Sequence, residues 1–367
     1  MSHHFPADTF DAMVSVAVFE HLLMPWKVAI EMNKVLRVGG VVRLTSHESF
    51  PLHEEPWDFF RFGTACWDTL FNQVTGFAVI GRSRVGEARV VPWARRSRVL
   101  RGFQHSVVML RKTGNVAPGT RWDVRPESLL PEGHFYAANA ASSWPRRAAR
   151  HALQLWRSRI ARFDPPDDPL RMKRRGPWWI IKSAIARALE VQTVECKVVD
   201  GAGLDDRLSV ALAGVGDGAI SRLALIDVLH RERQPWVVVE EINRVLEIGG
   251  LAYLEVPQVE DADFGGWRVS AEGLRGLFHV GSGFTMEASV MVDPCSVIPL
   301  GGARQDVGLA AAFRRTVAMV RKIAPFDREA MHWASTPVQQ PAESFVDNHV
   351  ADLRRRGGAG GEHDIGV

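Results

Sequence analysis

Two stretches hold most of the residues in this sequence that are equipped for chemistry. Glu20-His21 follows directly on the apolar run Ala12–Val18, and the polar segment Ser46–Phe62 carries His47, His53, Glu54, Glu55, Trp57, Asp58 and Arg61. An imidazole that titrates near neutral pH can take a proton from a hydroxyl, so His47 or His53 is a candidate general base. With Glu54 and Asp58 from the same loop they make the candidate catalytic set. Glu20-His21, joined by one of these residues, is also a ligand set for a divalent metal. The plainer reading is a polar loop whose charges are solvated, with Glu20-His21 capping the next helix.

For these residues to meet, two strand ends must lie side by side. Ala12–Val18 is short and nearly continuously apolar, which predicts a strand buried on both faces. Pro25 suits the first turn of a helix, where its missing N–H costs nothing. Val28, Ile30, Met32, Val35 and Leu36 then fall on one helical face. Gly39-Gly40 reads as the left-handed cap that ends the helix, and Val41–Leu44 as a second strand. Strand, helix, strand is a right-handed βαβ crossover with parallel strands. Open parallel sheets bind ligands outside the carboxyl ends of their strands, and the loops after Val18 and Thr45 both leave that rim.

The chain contains this unit twice. Pro25–Gly40 and Pro235–Gly250 are identical at nine of sixteen positions, among them Pro25, Trp26, Asn33, Gly39 and Gly40. The correspondence runs on: Leu70-Phe71 with Leu277-Phe278, Gly76-Phe77 with Gly283-Phe284, Pro92 with Pro299, and Val107–Lys112 with Val317–Lys322. Thr64–Phe71 reads as a short helix with Trp67, Leu70 and Phe71 inward. Phe77–Ile80 and Ser106–Leu110 read as strands separated by the arginine-rich stretch Arg82–Arg101. The rim residues differ between copies: Glu20-His21 becomes His230-Arg231, and Ala17 becomes Asp227. The copies have either specialised or decayed.

Four segments result: copy 1 at 1–115, a basic, partly helical linker at 116–190, copy 2 at 191–325, and a tail at 326–367 expected to be disordered. The linker carries the amphipathic basic helix Arg146–Phe163 and a second helical stretch, Trp178–Leu189. Val194–Asp200 reads as a strand. Gly214–Gly218 invites a nucleotide-loop reading, but only two residues separate it from Ser221, which leaves no room for a crossover helix. The net charge of +3 argues against a strong polyanion binder, so nucleic acid is not expected. Three widely spaced cysteines make no disulfide or zinc pattern and fit a reducing cytosol. There is no signal-peptide pattern and no apolar run long enough for a membrane span, and a cytoplasmic location is expected.

Phe5–Asp11 before the first strand, Phe19-Glu20-His21 after it, the helix ending Val35-Leu36-Arg37-Val38-Gly39-Gly40, and Trp57–Phe62 with Thr75-Gly76-Phe77 together resemble the C-terminal half of a class I S-adenosylmethionine-dependent methyltransferase of the small-molecule, type 11 kind. The resemblance implies an α/β fold made of two tandem, incomplete Rossmann-like methyltransferase domains. It implies S-adenosyl-L-methionine as cofactor, with Glu20, His21 and Asp200 on the cofactor side, and a small-molecule methyl acceptor, a sugar or a lipid. Val194–Asp200 would match the family's third strand. Related enzymes place a metal on an acid-rich version of the Glu20-His21 turn; Ala17 stands at the earlier acidic position, and no metal is assigned. The family's first glycine-rich motif is missing from both copies. The alternative is a non-catalytic interaction module built from a duplicated, decayed methyltransferase fold. In the complete fold the first strand lies beside Ala12–Val18, so this edge is expected to be covered by residues 116–220 or by a partner chain, through self-association or a second protein.

Overall fold

The structure, a computed structural model, describes residues 1–54, 56–93, 98–125, 129, the backbone of 196–200, and 212, 214–230, 232, 234–259, 266–300 and 312–334. The helical stretches expected at 146–163 and 178–189 lie outside them. Residues 326–334, placed in the tail by sequence, carry a short strand with Met331 buried.

Strand β1 (Phe10–Val16), helix α1 (Pro25–Val35) and strand β2 (Leu36–His47) form the expected βαβ unit, with β1 and β2 parallel. Pro25 does open the helix. The glycine pair does not end it. The helix stops at Val35 because Leu36 is already extended and pairs with Phe10. Gly39, at φ +87°, instead sits where the β1–β2 register slips between Phe10 and Ala12, a bulge that needs a left-handed residue. Trp26, Ala29, Ile30, Met32 and Val35 face the core.

Asn33 explains its own recurrence. Its buried amide donates to the Thr75 and Gly114 carbonyls at 2.8 Å each, and Asn243 does the same to Ser282 (3.0 Å) and Ala324 (2.9 Å). Gly76, at φ +75°, lies so close that a Cβ would stand 2.3 Å from the Gly114 oxygen.

After β2 come β3 (Phe60–Phe62), α2 (Thr64–Leu70), and the antiparallel pair β4 (Phe77–Pro92) and β5 (Leu100–Lys112). The pair was expected, but its strands are much longer, and they take in most of the arginine-rich stretch. Beyond lie β6 (Arg121–Trp122), β7 (Cys196–Asp200), β8 (Ile220–Ile226), α3 (Pro235–Val245), β9 (Leu246–Pro257), β10 (Trp267–Val269), α4 (Leu274–Leu277), β11 (Phe284–Pro299), β12 (Ala312–Lys322) and β13 (Met331–His332).

Among the described residues one sheet of nine strands runs β1-β2-β5-β4-β11-β12-β9-β8-β7. Leaving out β7, the order is symmetric about the antiparallel β4–β11 seam, where Val90 faces Val297. Two more antiparallel pairs cross between the halves. β3 meets β10 with Arg61 opposite Arg268, and β6 meets β13. Trp26 and Trp236 stand 5.1 Å apart between ring centres, and one buried cluster includes residues of both halves.

The two outer edges differ. β7 pairs in parallel with β8, so the strand read at 194–200 exists, but it takes the place beside β8 that the resemblance gives to a first strand, not a third. On the other side β1 pairs with β2 alone among the described residues, and Val14, Val16 and Val18 are exposed. The double-sided burial and the covered edge expected for this run are therefore not found among them.

Candidate active site

The chain leaves β1 through Ala17, which is held at φ +52° by a bond from its N–H to the Thr45 carbonyl. A left-handed alanine is strained, and the fold keeps it because it turns Phe19-Glu20-His21, a single 3-10 turn, back over the end of β2. Asp227 repeats that conformation after β8.

Glu20 is fully buried. Its Oε2 accepts a bond from the Ser46 hydroxyl, and its Oε1 lies 3.2 Å from Nε2 of His47, the last residue of β2. His47 stacks on Phe50 and stands opposite His105 of β5. Burial, reinforced by the nearby Arg61 charge, drops the His47 pKa to about 2, so this imidazole is neutral. His105 is also lowered, by burial.

The loop after β2 folds over this floor. His53 sits with its ring 4.8 Å from both His21 and His47. Its Nδ1 lies 3.2 Å from Asp58 Oδ2 and 3.2 Å from the Pro51 carbonyl. His21 Nδ1 lies 2.9 Å from the Trp57 carbonyl. These partners only accept, so Nδ1 carries the proton in both rings and Nε2 keeps the lone pair when they are neutral. Asp58 is buried. Burial alone would raise its pKa, but the Arg61 guanidinium, bonded to both carboxylate oxygens, holds it well below the usual range. Arg61 also donates to the Phe50, Phe60 and Pro51 carbonyls and so fixes the loop.

Of the sequence candidates, Glu20, His21, His47, His53 and Asp58 are brought together. Glu54 lies on an exposed turn at φ +52°, and its carbonyl accepts the Trp57 N–H. Asp200 ends β7, far along the sheet from β1 in strand order. Sequence reading missed Ser46, Phe50 and His105, and also Glu48, a buried carboxylate facing Arg84 (3.2 Å) and, from the second half, Arg268 (3.6 Å). Burial raises the Glu48 pKa against the pull of Arg268 and Arg84. Ser46 and His105 could have been found by pairing β5 with β2; Phe50 and Glu48 needed the loop's path.

The second half builds a different rim. Asp227 is clamped by Arg315 through two 2.6 Å bonds, and Arg315 also binds Glu255 at 2.9 Å. No imidazole cluster like that around His53 forms there among the described residues.

Residues 1–44 match the family model of a methyltransferase domain. That stretch holds β1, the Glu20-His21 turn, α1 and most of β2, the elements that form the rim. A comparison with curated proteins gives no match. Among solved structures, T. thermophilus 16S rRNA N2 G1207 methyltransferase in complex with AdoMet and guanosine aligns over 88% of this chain and 75% of its own, at 11% identity and a TM-score of 0.18. No described helix is long and apolar enough to cross a membrane.

The residues that the resemblance gives to S-adenosylmethionine do not gather in one place, since Asp200 ends β7 at the other side of the sheet from Glu20 and His21. Glu20 is turned inward to Ser46 and His47. Gly214–Gly218 leads into the amino end of β8, the opposite end from the rim, with Asp217 bound to Arg244. A cavity of about 370 Å³ beside β1 is lined chiefly by apolar side chains such as Phe10, Met13 and Met32, with no charged side chain for the cofactor's ammonium or carboxylate.

Proposed function

We propose that this chain is a methyltransferase-family protein that acts on a small molecule, a sugar or a lipid, at the rim of its first half. We take its two halves to be tandem, incomplete Rossmann-like methyltransferase domains, with S-adenosylmethionine as the family's methyl donor. One observation carries the reading. The His53 imidazole, its Nδ1–H held by the Asp58 carboxylate, presents an Nε2 lone pair at the carboxyl ends of two parallel strands. That is the arrangement of an oriented general base, with the carboxylate fixing the tautomer. His53 would take the acceptor's hydroxyl proton, Asp58 would hold its ring, and Phe50 and His47 would exclude water beneath it.

The test is transfer of label from methyl-tritiated S-adenosylmethionine to a panel of monosaccharides and lipids. Label in an acceptor, reduced about 10²-fold by His53→Ala, supports the reading. A rate indifferent to His53 removes it. The second reading, a non-catalytic interaction module, is favoured by the β1 edge, which pairs with β2 alone among the described residues, and by its exposed valines. A protein or second copy adding a strand there, without label transfer to any acceptor, would support it.

A further inference from the structure

We infer that Glu20, His21 and His53 form a binding site for a divalent first-row transition metal, with zinc as the reference ion. One donor atom from each lies within 4.8 Å of the other two. A tetrahedral site with bonds of about 2.0–2.2 Å needs donors about 3.4 Å apart, so binding draws the three together by about an ångström. His53 and His21 are both partly accessible, so an ion can reach them.

Three features point beyond mere proximity. Both rings are already in the ligating tautomer. His21 is oriented by the Trp57 carbonyl, and His53 by the Asp58 carboxylate and the Pro51 carbonyl, which is the outer support that metal-bound histidines have. Next, Glu20 Oε1 is fully buried and has no hydrogen bond, although His47 Nε2 lies 3.2 Å away. A buried carboxylate oxygen left in that condition is costly, and a cation removes the cost. Finally, two imidazoles and one carboxylate suit zinc or its neighbours and not magnesium or calcium, which prefer oxygen. Three protein ligands leave a position open, as catalytic sites do.

The site does not depend on methyl transfer. Where the proposed function holds, ligation takes the His53 Nε2 lone pair, and the metal replaces that base by lowering the pKa of a hydroxyl bound at its open position.

The test uses the full chain, stripped with chelator, titrated with zinc by calorimetry and with cobalt(II) by visible absorption. Expected are one equivalent bound at micromolar or tighter affinity, loss of at least 10-fold in Glu20→Gln, His21→Ala and His53→Ala, and a smaller loss in Asp58→Asn. Glu20→Gln keeps the shape of the side chain, and its melting curve checks that it is folded. The His3→Ala, His4→Ala double variant, which removes exposed imidazoles near the N-terminus, should bind as the parent does. Absence of stoichiometric binding overturns the proposal. So does a folded Glu20→Gln chain that binds unchanged, or binding that disappears with His3 and His4.

Discussion

Single residues in this protein are held by partners that leave them few alternatives, and this makes their substitution informative. Asn33 satisfies two buried carbonyls, so Asn33→Ala should cost about 2–4 kcal/mol in denaturant unfolding. The equivalent change at Asn243 should cost about the same. His279 gives a pH test away from the rim. Burial lowers its pKa to about 4, and its Nδ1 accepts the Ser282 N–H at 3.3 Å, a bond that protonation breaks. The unfolded chain binds this proton more tightly than the folded one. Stability from this group is therefore complete above about pH 6.5 and is lost as pH falls towards 4, by about 3 kcal/mol in all. His279→Gln should flatten that part of the stability profile, and an unaltered profile would show that His279 binds its proton equally well in the folded and unfolded chain. The site residues were legible as types, since His47, His53 and Asp58 share one polar loop. Their pairings were not, because Arg61 claims Asp58 and Ser46 claims Glu20 only once the loop has folded.

At the level of elements, the βαβ unit was readable because Pro25 and the helical spacing of apolar residues name it. Trp67, Leu70 and Phe71 are inward as their spacing predicts. The glycine pair misled because a left-handed glycine serves a bulge as well as a helix cap, and only the Leu36–Phe10 pairing decides between them. The long β4 and β5 were hidden by their arginines. Arg82 and Arg101 lie on the accessible side, paired with Asp68 and Glu87, so no apolar alternation marks the strand. β1 offers a direct test. Ala17 donates to Thr45, so by alternation the Val16 N–H points to the side of the strand away from β2. Val16→Pro should then leave stability and solubility unchanged. Loss of either would show that this edge is paired in solution.

Across the whole molecule, three strand pairs and the Trp26–Trp236 contact tie the halves together. Val90 and Val297 are both fully buried at the central seam. Val297→Asp would bury a charge there and should destabilise the chain by about 3 kcal/mol or more, with both halves melting in one transition. Two separate transitions would mean that the halves fold independently. The repeat was evident in the sequence, but its symmetric order in the sheet was not, since nothing local in β4 or β11 specifies the other as its neighbour. The two rims differ along the same line, with an imidazole cluster in one half and an arginine-clamped Asp227 in the other. The most direct measurement is the rate of label transfer from S-adenosylmethionine to a small hydroxylated acceptor by the parent chain, His53→Ala and Asp227→Asn. The account predicts a loss of about 10²-fold at His53 and little change at Asp227. An unchanged rate in His53→Ala, or an equal loss in Asp227→Asn, would contradict it.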